Sequence, residues 1–210
     1  MYQLSQCRQR GVTLIELMVG LGIVGFTLAV GVPSMSHWMS TNKARAASEF
    51  YGEGLALARR EAVSHNARSR IVFSQNTANN QYNWQVDLCF PQVGTACSDT
   101  SGTWSTVGLA AAGDPEGVQG FKSVFRSGEA LPPTSVLKPT LEPAGASAVY
   151  FTEVGWVDTT LDNRVNRLRL DPDPSFKDDV PAVAMVVTLS GMVAKCDPTR
   201  SAGDSRACPP

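Results

Sequence analysis

The first feature of the hydrophobic pattern is a continuous apolar run over residues 14–32. A run of about 20 residues is long enough for a transmembrane helix. The polar residues before it include Arg8 and Arg10 but no acid, so the positive-inside rule keeps the amino terminus cytoplasmic. No small-residue cleavage site follows the run. We therefore predict that the apolar segment is retained and is not a cleaved secretory signal.

One carboxylate, Glu16, lies within this apolar run. A charge at membrane depth costs a few kcal/mol and usually has a partner. Two readings follow from the residues alone. Glu16 either stays hydrated near the membrane interface, or meets a positive charge from a neighbouring copy or a free amino terminus.

Helical periodicity continues beyond the apolar run to about residue 64. Charged residues occupy the outer faces of this segment. Small and large apolar residues recur at spacings of three and four: Ala44, Ala47, Tyr51, Leu55, Ala58 and Ala62. One helix over 12–64 would be about 80 Å long at 1.5 Å per residue. Pro33 is expected to kink this helix rather than end it.

Beyond residue 67 the pattern changes to the two-residue period of half-buried strands. Predicted strands cover 68–74, 82–90, 118–125, 148–152, 165–170 and 182–189, with 192–196 as a hairpin partner across Ser190 and Gly191. Gly- and Pro-rich loops are predicted at 91–103, 108–117, 126–147 and 171–181. The fold class is therefore α+β, with a long amino-terminal helix packed on an antiparallel sheet or sandwich.

The five cysteines indicate an oxidising compartment. Cys7 precedes the apolar run, and the other four form two local pairs, Cys89 with Cys97 and Cys196 with Cys208. Even pairing in short loops predicts disulfides, as expected in a periplasm. The alternative is four free buried thiols. A zinc site is disfavoured because the chain has no CxxC or Cys/His cluster.

Composition and candidate chemistry argue against an enzyme. The formal net charge of −1 gives no overall attraction to nucleic acid or anionic lipid. His37 and His65, the only histidines, lie 28 residues apart in the predicted helix. The strand region offers no base for a nucleophilic arrangement, and no phosphate-binding glycine loop occurs. We expect no catalytic residues, no metal and no cofactor.

The stretch RGVTLIEL, residues 10–17, resembles the processing motif of type IV prepilins and type II secretion pseudopilins. The resemblance implies cleavage by a prepilin peptidase between Gly11 and Val12, and N-methylation of Val12. It also implies that Glu16 sets the assembly register and that Pro33 kinks the helix. The family usually has Phe where this chain has Val12. The implied division is a leader at 1–11, a transmembrane helix at 12–34, an amphipathic helix at 35–66 and a periplasmic β domain at 67–210.

The segment 47–63 resembles the corresponding helix of the GspH/FimT family, through Leu55, Ala58, Arg59, Glu61 and Ala62. This implies a minor pilin or pseudopilin that initiates or caps a fibre. Its partners would be other minor and major pilins, the prepilin peptidase and the inner membrane. The motif does not distinguish a type IV pilus from type II secretion.

The alternative function is a DNA-binding minor pilin for natural transformation. Gly191, Cys196, Asp197 and Pro198 match the basic motif of the FimT branch, but Met192 and Ala194 stand where arginines are wanted. Without the leader the chain has 16 basic and 19 acidic residues, a net charge of −3. A small cationic patch is conceivable from four residues: Arg164, Arg167, Arg169 and Lys195. Solvated strand positions are the competing explanation for these side chains.

Overall fold

The structure is a computed structural model that describes residues 11–100, 103–178 and 180–209. The predicted leader up to Arg10 lies outside the described residues. The chain divides into two compact units, one ending at Met39 and the other comprising Ser40–Pro210. The fold class predicted from the sequence is confirmed: a long helix is followed by antiparallel β-sheets.

Helix α1 spans Leu14–His65. Its carboxyl end is closed by Asn66, which adopts a left-handed conformation with φ of 48°. The backbone N–H of Ala67 then donates to the carbonyl of Ala62 at 3.1 Å, and that of Asn66 to Val63 at 3.4 Å. This pair of hydrogen bonds is a Schellman motif, which satisfies carbonyls that the helix leaves without partners. The helix therefore ends within one residue of the predicted boundary.

Within the described residues, eight strands follow the helix and form two four-stranded antiparallel sheets. The strands are β1 Arg68–Gln75, β2 Tyr82–Cys89, β3 Val124–Arg126, β4 Leu137–Glu142, β5 Ala148–Phe151, β6 Arg167–Pro172, β7 Val183–Val187 and β8 Val193–Cys196. The first sheet has the order β3-β2-β1-β5 and the second the order β4-β6-β7-β8.

One predicted strand and one predicted loop differ from the structure. The predicted strand at 118–125 is wrong over most of its length, because Gly117–Gln119 forms a 3-10 turn and only Val124–Arg126 pairs with β2. Strand β4 lies within the predicted loop 126–147. Pro139 suggested a loop there, but β4 is an edge strand, where a residue without a backbone N–H is tolerated.

The second half of α1 packs against both sheets. Tyr51 and Leu55 are buried, and the small residues Ala47, Ala58 and Ala62 are fully covered. At Gly54 an added Cβ would lie 2.8 Å from both Ile71 and Trp84 of the first sheet. At Gly52 it would lie 3.6 Å from Lys195 of the second sheet. The periodicity seen in the sequence is therefore the buried stripe of a helix in contact with two sheets.

Candidate assembly site at the amino terminus

The predicted processing site immediately precedes the start of helix α1. Gly11, Val12 and Thr13 are non-helical and exposed, and the helix begins at Leu14. The backbone N–H of Glu16 donates to the Thr13 hydroxyl at 3.3 Å, and the N–H of Leu17 donates to the Thr13 carbonyl at 3.1 Å. Thr13 is therefore the N-cap of the helix.

The cap places Glu16 at the third position of the helix. The sequence Thr-x-x-Glu is the capping-box pattern, and an acidic side chain in the first turn is stabilised by the partial positive charge of the helix amino terminus. The apolar pattern of the sequence does not reveal the role of Thr13, whereas its four-residue capping-box motif with Glu16 does. The side chain of Glu16 is exposed, so another molecule can reach its carboxylate.

An apolar surface follows directly after this site. Leu14–Gly31 is long and apolar enough to cross a membrane, and none of its residues is buried. Large side chains such as Leu14, Ile23 and Phe26 are between 60% and 77% exposed. A helix that is apolar on all sides needs lipid or other helices around it. Among the described residues, no other helix is long and apolar enough to cross a membrane.

Helix α1 continues through Pro33, so this proline does not end the helix. Proline removes one backbone donor and crowds the preceding turn, which is the usual cause of a kink. The side chain of Pro33 lies outside the described residues, and the kink remains a prediction.

Both predicted disulfides are present. Cys89, at the end of β2, is bonded to Cys97, and Cys196, at the end of β8, is bonded to Cys208. Each bond closes a short loop and lowers the conformational entropy of the unfolded chain. In the chain-entropy model this stabilises the folded state by about 2–3 kcal/mol. The second bond ties the carboxyl-terminal segment to the edge strand of the second sheet.

Two of the four candidate DNA-contacting cations lie on β6 and pair with carboxylates of β4 and β6. Arg167 lies 3.5 Å from Glu142 and also donates to the Pro209 carbonyl at 3.0 Å. Arg169 lies 3.6 Å from Glu142 and 2.8 Å from Asp171. The hydrogen bond to Asp171 is the main cause that raises the pKa of Arg169. These carboxylates neutralise the charge that phosphate contacts would need.

Lys195 is not on the same surface as this pair. In the register of the second sheet, Lys195 is paired with Met185 and Arg169 with Ala184, so Lys195 and Arg169 point to opposite faces. The Lys195 ammonium donates to Ser48 of α1 at 3.2 Å. Arg164 donates to the Leu161 carbonyl at 2.8 Å. The structure does not gather the four cations into one patch, and DNA contact by any of them remains a prediction.

Of the two histidines considered for catalysis, only His65 has a described side chain. His65 lies 3.5 Å from Glu61 and packs edge-on against the Phe121 ring. The side chain of His37 lies outside the described residues. Over the part of the chain that the structure describes, no group of three or more His, Cys, Asp or Glu side chains could hold a metal ion.

Comparison with known proteins identifies the amino-terminal segment. The prokaryotic N-terminal methylation motif matches residues 6–32, which include the predicted cleavage site, Glu16 and the apolar helix. No curated protein and no solved structure matches the chain significantly. The match, the apolar helix and the α+β fold together support a type IV pilin-like protein.

Proposed function

We propose that this chain is a minor pilin or pseudopilin, a structural subunit that helps to initiate or cap a type IV pilus or a type II secretion pseudopilus. The observation that carries the proposal is the methylation motif at residues 6–32, placed at the capped start of an exposed apolar helix. Packing of subunits, rather than catalysis, is the activity that this arrangement supports.

In this proposal, prepilin peptidase cuts the chain between Gly11 and Val12 and methylates the new amine of Val12. Residues 1–11 are the leader, 12–34 the transmembrane helix and 35–66 the amphipathic helix. Residues 67–210 form a periplasmic β domain. Non-helical, exposed backbone at Gly11, Val12 and Thr13 is suited to entry into a peptidase site. The two disulfides are consistent with an oxidising compartment for the β domain.

The proposed assembly mechanism uses opposite charges in an apolar environment. The amine of Val12 on an incoming subunit would meet the Glu16 carboxylate of a neighbouring copy or another pilin. Breaking a desolvated ion pair by removing one partner is costly, so a shifted register would be strongly disfavoured. The apolar side chains of Leu14–Gly31 would pack against neighbouring helices within the fibre.

The finer assignment to the GspH/FimT family is supported by the buried stripe of α1. Leu55, Ala58 and Ala62, which carry that resemblance, are buried against the sheets. Arg59 instead donates to the Gly155 carbonyl at 3.2 Å. We propose that the β domain contacts other minor subunits.

The test is the intact mass and amino-terminal sequence of the protein isolated from cells with and without prepilin peptidase. We expect a chain that begins at methylated Val12 only when the peptidase is present. Gly11→Val should prevent this processing. Gly20→Val is the matched control, because an added side chain there meets nothing within 4 Å.

A chain that still begins at Met1 in the presence of the peptidase would contradict the proposal. Cleavage at another position would contradict it as well. Equal processing of Gly11→Val and Gly20→Val would show that the glycine of the motif is not recognised.

A further inference from the structure

Two turns of the β domain have the same sequence pattern and the same hydrogen bonds. They are Thr152–Trp156, TEVGW, and Thr188–Met192, TLSGM. In each, the threonine N–H donates to the carbonyl of the fifth residue, at 2.8 and 2.9 Å, and the glycine N–H donates to the threonine carbonyl at 2.8 Å. The threonine hydroxyl accepts the N–H of the fifth residue, at 3.3 and 3.2 Å. Each turn is therefore held closed by its own threonine.

The glycines allow both turns to close and to pack against each other. Gly155 and Gly191 have φ of 77° and 76°, the left-handed conformation expected at this position of a three-residue hairpin loop. The site of an added Cβ on Gly191 is occupied by the Gly155 carbonyl oxygen. The N–H of Val157 donates to the Leu189 carbonyl at 3.0 Å, and Arg59 of α1 donates to the Gly155 carbonyl. The two turns and the end of the helix thus form one rigid structure.

This structure presents large apolar side chains to solvent. We call these residues the twin-turn platform: Val63, Val154, Trp156, Leu189 and Met192. Each is more than half exposed. Together the five side chains expose roughly 300–600 Å² of apolar surface. This is the size of the largest apolar patch on a typical monomer, and such a patch often marks an interface. Two copies packed face to face would approach the ~1,000 Å² that a specific interface needs.

The charges bordering the platform are balanced. Arg68 pairs with Glu153 at 3.2 Å and with Asp158 at 2.8 Å, and Arg60 pairs with Glu61 at 3.3 Å. Arg59, which donates to the Gly155 carbonyl, is the third cation beside these three carboxylates. Two identical surfaces carry the same net charge, so a strongly charged patch would repel the same patch on a second copy. Balanced charge removes that obstacle. It also disfavours nucleic acid and anionic lipid, which need an excess of cations.

From the rigid turns, the exposed apolar area and the balanced charge, we propose that the twin-turn platform is a self-association surface that binds the same platform on a second copy of this chain. The rigidity of the turns limits the conformational entropy lost on association. Trp156 is the central contact, since tryptophan contributes strongly to interfaces of this kind. The contact involves unit 2 alone, so it does not depend on processing at Gly11.

The test is photo-cross-linking of the full chain in its own membrane. Two copies with different epitope tags are co-expressed, both carrying Val154→p-benzoylphenylalanine. We expect a product at twice the chain mass that bears both tags. Adding Trp156→Glu should reduce this product at least tenfold, whereas Trp156→Phe should retain it. The probe at Val93, which is fully exposed in another loop, is the matched control for random collisions and for association of the apolar helices.

Each other outcome overturns the proposal. Absence of the doubly tagged product at Val154 would show that the platform does not meet its copy. An equal yield from Val93 would attribute the product to crowding. Cross-linking only to a different chain would identify the platform as a contact for another partner. Retention of the product in the Trp156→Glu chain, with both disulfides formed and protease resistance unchanged, would exclude Trp156 as the contact.

Discussion

The hydroxyl of Thr13 caps helix α1 by accepting the backbone N–H of Glu16 at 3.3 Å, so the carboxylate proposed for subunit register is positioned by the first turn of its own helix. Glu16 can therefore take part in the cap of its own helix through its backbone and bind an amine of another chain through its carboxylate. Its exposed side chain leaves the second interaction available. Substitutions that keep the cap but change the charge separate the two roles.

We expect Glu16→Gln to remain inserted in the membrane but to enter fibres about tenfold less or worse, because an amide cannot form the ion pair with the Val12 amine. Incorporation is measured by the amount of the chain in sheared fibres or pseudopili relative to the membrane fraction. Thr13→Ser, which preserves a capping hydroxyl, is the control and should assemble normally. Normal assembly of Glu16→Gln would contradict the register mechanism.

Gly191→Ala should lower the free energy of unfolding by about 3 kcal/mol, because a left-handed residue is strained and its Cβ would collide with the Gly155 backbone. Gly145→Ala is the matched control. Gly145 also has a positive φ, of 88°, but an added Cβ meets nothing within 4 Å, so only about 1 kcal/mol should be lost. Denaturant unfolding of the purified chain in detergent measures both. Equal losses would show that the packing of the twin turns contributes nothing.

Tyr51→Phe should cost about 2 kcal/mol, since the buried hydroxyl donates to Gln81 at 3.0 Å and accepts the Tyr82 N–H at 3.0 Å. Denaturant unfolding measures the loss. Tyr82→Phe, a half-buried position on the adjoining strand, is the control and should cost less. Equal losses from Tyr51→Phe and Tyr82→Phe would show that the buried hydrogen bonds of the Tyr51 hydroxyl do not stabilise the fold.

The same tyrosine predicts a pH dependence. Burial raises the pKa of Tyr51 well above its usual value. The unfolded chain releases this proton near pH 10 and the folded chain retains it, so the stability is fully present below pH 10 and falls as the pH rises further. Unfolding measured between pH 9 and 11 should show a shallower alkaline loss in Tyr51→Phe than in the native chain. If the free energy of unfolding fell equally with pH in both chains, Tyr51 would not be the source of the alkaline loss.

Arg70→Met should destabilise the β domain by about 3–5 kcal/mol, because it leaves the carboxylate of Asp87 buried without its charged partner. In the native chain Arg70 donates to Asp87 at 2.8 Å and lies 4.3 Å from the centre of the Trp104 ring. The double variant Arg70→Met with Asp87→Leu should recover much of the loss, since it removes both charges. A double variant less stable than Arg70→Met alone would refute this account.

For the DNA-binding alternative, we expect no salt-sensitive gel shift of duplex DNA by the native chain. Arg167 and Arg169 are neutralised by Glu142 and Asp171. Glu142→Gln with Asp171→Asn frees both arginines and should produce a shift that weakens with salt. A salt-sensitive shift by the native chain would favour the alternative over the structural role.

The strand predictions succeeded where neighbouring residues alternate in a single clear pattern. Strand β2, with Tyr82, Trp84 and Val86, is predicted almost to its ends. Strand β4 also alternates, with Leu137, Pro139 and Leu141 buried. It was missed because the cost of a proline depends on whether the strand lies at the edge of its sheet, and the order of strands is decided by partners distant in the chain.

The sequence by itself determined the methylation motif, the apolar helix and both disulfides. Their physics is local: a membrane selects for consecutive apolar residues, and short loops bring their cysteines together. Tertiary structure alone decided the rest. It placed Lys195 and Arg169 on opposite faces through the register of β6, β7 and β8, and it joined two turns 36 residues apart into one platform. Those outcomes depend on which distant strands pair, because pairing fixes which side chains share a face and which turns meet.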